Sequence, residues 1–168
     1  MYRYYIGIDC GVNTGIAIYD RVDKKFIIVG TNMIHVIFDY LKDIFSSGMD
    51  VNDTLFVIED ARQVKFNTDK SKAQGAGSVK RDAKIWEDFL IHQGFNYLMV
   101  RPRKSITKLC AIHFNNLTGW NERTNEHARD AGMLVWGATY TPQQVLLEME
   151  KLKGKKSNIK IARNNLLS

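Results

Sequence analysis

The run Thr54-Leu55-Phe56-Val57-Ile58-Glu59 constrains the fold more than any other stretch of the chain. Side chains alternate between the two faces of a strand, so consecutive Leu, Phe, Val and Ile put apolar groups on both faces. A strand of that kind belongs inside a sheet covered by helices on each side, with parallel neighbours. The run ends abruptly in a carboxylate. Leaving that group buried and unpaired costs several kcal/mol, so the rest of the fold has to offset it.

The surrounding sequence supplies the other layers. Residues 3–9 (RYYIGID), 14–20 (TGIAIYD) and 25–30 (KFIIVG) are short β-prone runs with short polar joints, the pattern of an antiparallel meander. Over 33–45, Met33, Ile34, Ile37, Phe38, Leu41, Ile44 and Phe45 recur at helical spacing. Residues 62–78 lack an apolar period and read as a loop leading into a helix that ends before Gly94. On that helix Trp86, Phe89 and Leu90 fit either a core or a dimer contact. Residues 95–100 (FNYLMV) form a further strand, closed by Arg101-Pro102. A helix is expected just past Pro102, with Ile106, Leu109, Ile112 and His113 on one face and Gly119 as its end. Asn125 caps a helix over 126–138, and Thr141-Pro142 opens the last one. The order β-β-β-α-β-α-β-α-α predicts an α/β fold: a mixed five-stranded sheet, made of a three-stranded antiparallel meander plus two parallel strands, with helices on both faces.

Charge divides the chain unevenly. Its 168 residues carry a formal charge of +6, yet residues 1–150 hold 18 basic and 18 acidic side chains. The excess lies in 151–168, with Lys151, Lys153, Lys155, Lys156, Lys160 and Arg163 and no acid. Such an arm attracts polyanions. We therefore expect a domain over 1–140, followed over 141–168 by a helix and a basic tail. No stretch approaches the ~20 apolar residues of a membrane span. The start, MYRYYIGIDCG, offers no signal-peptide core, and a cytoplasmic location is expected. Cys10 and Cys110 fit neither a metal-ligand spacing nor a disulfide framework and are expected to be small buried residues.

Four chemistry-bearing residues interrupt the apolar pattern. Asp9 ends the first strand before a glycine turn, and Glu59 ends the most apolar one. His127 and Asp130 stand three apart at the start of a helix, on the side of Ala131 and Leu134. Carboxylates and an imidazole gathered together repel or titrate upward unless a cation neutralises them. Mg²⁺ suits such oxygen ligands. A pair of such ions about 4 Å apart activates water and stabilises the leaving oxygen in phosphodiester cleavage.

At these residues the sequence resembles a known family. IGIDCGVNTGIAIYD, VIEDARQ and NEHARDAG are similar to the three acidic motifs of the RuvC Holliday-junction resolvases, over about residues 4–138. The resemblance implies an RNase H-like (integrase) fold. It implies that Asp9, Glu59, His127 and Asp130 bind two Mg²⁺ ions, which Mn²⁺ can replace, with Asp9 bridging them. It further implies a homodimer that nicks two strands of a four-way DNA junction symmetrically. Lys108 matches the family's functional lysine near the cleaved phosphate, and Lys104 is the next candidate. The chain departs from the family at Cys10, where Pro is usual, and at Asp60, where Gln is common. Arg62 stands where the family has an aromatic wedge, a role that falls to Phe66 if the loop is longer. These departures fit a divergent, phage-type member.

Two basic segments complete the expected DNA footprint. Arg62, Lys65, Lys70, Lys72, Lys80, Arg81 and Lys84 surround Phe66, and Arg101, Arg103, Lys104 and Lys108 lie within eight residues. Basic groups hold phosphates while an aromatic stacks on bases. The expected activity is Mg²⁺-dependent resolution of four-way DNA. Alternatives are a broader branched-DNA or flap nuclease, and a junction-binding protein of the same fold with little activity. Asp9-Cys10-Gly11-Val12-Asn13-Thr14-Gly15 also matches the phosphate loop of actin-like and sugar-kinase proteins. Those need two lobes, for which 168 residues are too few, so no nucleotide cofactor is expected.

Overall fold

The computed structural model describes residues 1–63, 70–102 and 108–151, and for 70–76 the backbone alone. The strands are β1 (Tyr4–Asp9), β2 (Asn13–Asp20), β3 (Lys25–Met33), β4 (Thr54–Glu59) and β5 (Asn96–Val100). The helices are α1 (Ile34–Ser46), α2 (Lys70–Gln93), α3 (Ala111–Thr118) and α4 (Glu126–Val135). Residues 142–151 form a further helix, α5. The sheet runs β3-β2-β1-β4-β5. β1–β2 and β2–β3 are antiparallel, and β1–β4 and β4–β5 are parallel. The apolar run at 54–59 is therefore an interior strand with parallel neighbours on both sides, and the expected mixed sheet is the sheet found.

The two sheet faces are built differently. On one, Ile6 and Ile8 of β1, Ile16 and Ile18 of β2, and Phe56 and Ile58 of β4 meet Ile37 and Leu41 of α1 and Ala83, Trp86 and Leu90 of α2. Truncating a fully buried aromatic such as Trp86 costs about 3–5 kcal/mol. Trp86 and Leu90 thus serve the core, and Phe89 stacks on Phe38 with ring centroids 4.0 Å apart. On the other face, Ala17 and Val57 meet Ala128, Ala131 and Val135 of α4, with Tyr5, Tyr19, Phe114 and Val145 around them. Here the floor of the sheet is cut away. A Cβ added at Gly7 would overlap the carbonyl oxygen of Ala131, and one at Gly15 would overlap that of His127. Glycine at both positions lets α4 lie directly on the strands.

Several boundaries differ from those expected. β3 continues to Met33. α2 begins at Lys70, inside the segment expected to be a loop. Residues 108–110 are not helical, and α3 starts only at Ala111. Its buried positions are Phe114 and Thr118, whereas Ile112 and His113 are exposed; of the other residues expected on that face, Leu109 packs against the core from outside the helix and Ile106 lies outside the described residues. α4 stops at Val135, two residues before Gly137, which adopts a positive φ of 67°. Cys10 is buried as expected, but Cys110 is exposed. Among the described residues no helix is long and apolar enough to cross a membrane.

Candidate active site

The site is assembled at the end of the sheet where β1 and β4 finish. β1 and β4 run in parallel register through Ile8 and Ile58, so Asp9 and Glu59 leave the sheet side by side. Across β1 on the other side, Asp9 faces Gly15. The intervening turn is closed by the Thr14 hydroxyl, which donates to the Gly11 carbonyl at 2.7 Å. α4 then brings its first turn over this edge. The Asn125 side chain caps the helix by accepting from the Ala128 amide at 3.0 Å. It also accepts from the Thr31 hydroxyl at 2.7 Å, which ties the helix start to β3. Seated this way on Gly15, α4 places His127 Nδ1 2.8 Å from Asp9 Oδ2. Asp130 follows one turn later.

The electrostatics show an acid group without enough internal countercharge. Burial raises the Glu59 carboxyl to about 7, and the charges of Asp9 and Asp130 add to the effect. Burial likewise raises Asp130 to about 6, with Asp9 and Glu126 adding to it and Lys108 and His127 opposing. Asp9 is also raised, by burial first, against the hydrogen bond and charge of His127. Three carboxylates that hold protons this tightly are within each other's field, and each favours a neighbouring cation. Asp130 Oδ1 is buried and accepts no hydrogen bond. Hard oxygen donors with one orphaned oxygen fit a divalent cation of the Mg²⁺ type. The set is nonetheless open: among the described residues no three His, Cys, Asp or Glu side chains are gathered closely enough to hold a metal ion as they stand.

The expected DNA-facing residues separate into distinct groups. Lys108 is exposed beside the acids, with its Nζ 3.3 Å from Glu126 Oε1. Arg62 faces inward instead. Its Nε donates to Asp60 Oδ1 at 2.6 Å and its Nη1 to Glu87 Oε2 at 2.8 Å, so its charge is absorbed by two buried carboxylates. Arg81 is exposed, 3.6 Å from Asp82, and Lys84 pairs with Asp88. Lys80 is half-buried on α2. Lys70 and Lys72 lie in the first turn of α2, and their side chains are outside the described residues, as are Lys65, Phe66, Arg103 and Lys104. Sequence reasoning missed Glu126, whose place beside His127 at the start of α4 was the available signal. It also missed the Asp60–Arg62–Glu87 cluster, of which only the Asp60–Arg62 spacing was legible.

No protein-family model matches the chain, and no curated protein matches it by sequence. Solved structures do match by shape. The structure of Thermus thermophilus RuvC in complex with a Holliday junction substrate aligns with a TM-score of 0.53 at 12% identity, covering 79% of this chain and 90% of that one. A Thermus thermophilus RuvC structure aligns with a TM-score of 0.45 at 11% identity, covering 79% and 91%. At such identity the likeness speaks for architecture, and the architecture is RuvC-like: an α/β fold of the RNase H-like kind.

Proposed function

We propose that this chain, with its RuvC-like fold, is a Mg²⁺-dependent endodeoxyribonuclease that resolves four-way DNA by paired symmetric nicks as a homodimer in the cytoplasm. The observation that carries the reading is the convergence of Asp9, Glu59 and Asp130, each with raised proton affinity, at one sheet edge with His127 hydrogen-bonded to Asp9. The fold neighbour bound to a Holliday junction supports DNA of that shape as the substrate. Asp9, Glu59, His127 and Asp130 would hold the ions. Bound there, Mg²⁺ supplies a water of lowered pKa and stabilises the oxygen that leaves the phosphodiester.

The chain's own residues do the remaining work. Asp9 lies between Glu59 on the neighbouring strand and His127 on α4, so it would hold a cation together with either of them. With Asp9 ionised, His127 donates to it through Nδ1 and so orients the carboxylate. Lys108, at the rim of the acids, presents a positive charge where a scissile phosphate would come. The segments containing Lys65, Phe66, Lys70 and Lys72, and Arg103 and Lys104, together with exposed Arg81, supply further phosphate and base contacts. Residues 1–140 carry the chemistry and 141–168 add affinity through the tail.

The test compares nicking of a synthetic four-way junction, a flap, a plain duplex and an RNA–DNA hybrid, with and without Mg²⁺. Paired nicks in the junction alone, lost without Mg²⁺ and in Asp130→Asn, are expected. Equal cutting of the flap would redirect the assignment to a broader branched-DNA nuclease. Tight junction binding with no cutting under any metal would redirect it to a junction-binding protein. Nicking by Asp130→Asn at the wild-type rate would remove the site assignment.

A further inference from the structure

The Lys108–Glu126 ion pair cannot by itself hold Lys108 in place. Both side chains are more than half exposed, at 76% and 57%, and exposed pairs of this kind contribute little against side-chain entropy and salt. Yet the charge of Lys108 reaches Asp130, and residues 108–110 belong to no helix or strand that would fix them. Something else must anchor this segment against α4.

Leu109 packs its side chain against the core, and its backbone is gripped by one side chain of α4. Arg129 lies between His127 and Asp130 on α4 and is half-buried. Its Nε donates to the carbonyl of Leu109 at 2.7 Å. Its Nη1 donates to the carbonyl of Thr124 at 3.0 Å and approaches the Thr124 hydroxyl at 3.4 Å. One rigid fork therefore joins three pieces: the helix bearing His127 and Asp130, the approach to the Asn125 cap, and the peptide next to Lys108. Lysine is no substitute, because a single ammonium lacks the planar pair of donor directions that two separate carbonyls require.

We infer that Arg129 is a positioning residue, which holds Lys108 over the acid cluster so that the phosphate-facing charge and the α4 ligands move as a single unit. The inference rests on the nuclease reading and deepens it, since it assigns a residue that touches neither DNA nor metal. The chemistry it serves is countercharge for a phosphodiester beside the acids, at a place set by backbone hydrogen bonds.

The experiment is a double-mutant cycle of Arg129→Gln and Lys108→Ala, read as single-turnover nicking of a four-way junction at saturating protein. A misplacement of about 1 Å at a reacting centre can cost about 10²-fold, so Arg129→Gln should slow the nicking step by about 10–100-fold while junction affinity changes little. The double variant should be no slower than Lys108→Ala within about 3-fold, because the arginine acts only through the lysine. Multiplied losses in the double variant, or an unchanged rate in Arg129→Gln, would overturn the inference. A second measurement does not need activity: limited trypsin digestion, with products weighed, should cut after Lys108 faster in Arg129→Gln than in wild type. Should Arg129→Gln fail to fold, as judged by circular dichroism, Arg129→Lys carries the same cycle with a smaller loss. Wild-type protein that nicks no junction would sink the nuclease reading, while the trypsin comparison would still decide whether Arg129 holds the segment.

Discussion

Glu59 and Asp60 are consecutive residues with the same chemistry and opposite circumstances. Asp60 is buried with both carboxylate oxygens bonded to Arg62, and Glu87 of α2 takes another guanidinium nitrogen. Glu59 turns the other way, toward Asp9 and Asp130, where burial and like charges raise its proton affinity. The first group closes on itself: two acids share a cation of the protein's own, and the 3₁₀ turn Ala61–Gln63 is fastened to α2. In the second, His127 and Lys108 oppose the raised proton affinities without abolishing them. Buried acids do not by themselves mark a site; the distinguishing property is whether the fold supplies their countercharge.

The largest expected effect falls on the open group. Asp9→Asn, Glu59→Gln and Asp130→Asn should each reduce junction nicking by about 10³-fold or more. Affinity for the junction, measured by gel shift, should stay within about 3-fold. If all three keep more than a tenth of the activity, the two acid groups do not differ in function. Breaking the closed group should instead cost stability. Arg62→Met removes the guanidinium that both buried acids bond and should lower unfolding free energy by about 3–5 kcal/mol, measured by denaturant titration. Adding Asp60→Asn and Glu87→Gln should restore much of that loss; no restoration would mean that Arg62 acts by packing alone.

Smaller effects sharpen the contrast. Gly15→Ala would push its methyl group into the His127 carbonyl and lift the start of α4. It should cost about 1–3 kcal/mol of stability and weaken nicking as well. A stable, fully active Gly15→Ala protein would show that the close approach of helix and sheet is unnecessary. The smallest effect is a pH dependence. Glu59 binds its proton more tightly folded, at about 7, than at its ordinary 4.5, and Asp130 at about 6 compared with 3.8. Raised carboxyls make the folded state bind more protons, so their contribution is full below these ordinary values and is lost as pH climbs to about 7. Mg²⁺ should therefore raise Tm by about 2–4 °C near pH 8, and Asp130→Asn should do so without metal. Near pH 5, where protons compete with the cation, differential scanning fluorimetry should show almost no Mg²⁺ effect. A Tm gain of equal size at both pH values would argue against cation binding by these carboxylates.

Much of the sheet was legible because its signals are local. Period-two runs with short joints gave the meander, and the doubly apolar run at 54–59 gave the interior strand. The start of α2 was not legible: Gly75, Gly77 and many polar residues leave 70–78 without an apolar stripe, which is the signal a periodicity argument needs. α3 misled for the opposite reason, since Leu109 and Ile112 have helical spacing but the helix turns Phe114 inward and leaves Ile112 in solvent. At the site, Asp9, Glu59, His127 and Asp130 could be read as interruptions of apolar patterns. The fate of Arg62 could not, because one of its partners is Glu87, twenty-five residues away, and only the folded chain brings the two together.

The pairing of β1 with β4 has a consequence for how such a site tolerates sequence change. Adjacent strands stand about 4.8 Å apart whatever their side chains, because peptide hydrogen bonds set that interval. Asp9 and Glu59 stand on two such neighbours, so the distance between their backbones is a backbone constant, immune to almost any substitution in the core. The adjustable coordinate is the height of α4, and Gly7 and Gly15 set its lower limit. Drift in sequence can therefore be extensive while the footing of the acid pair stays put, and the tuning of such a site would be written in the few atoms between one helix and two glycines.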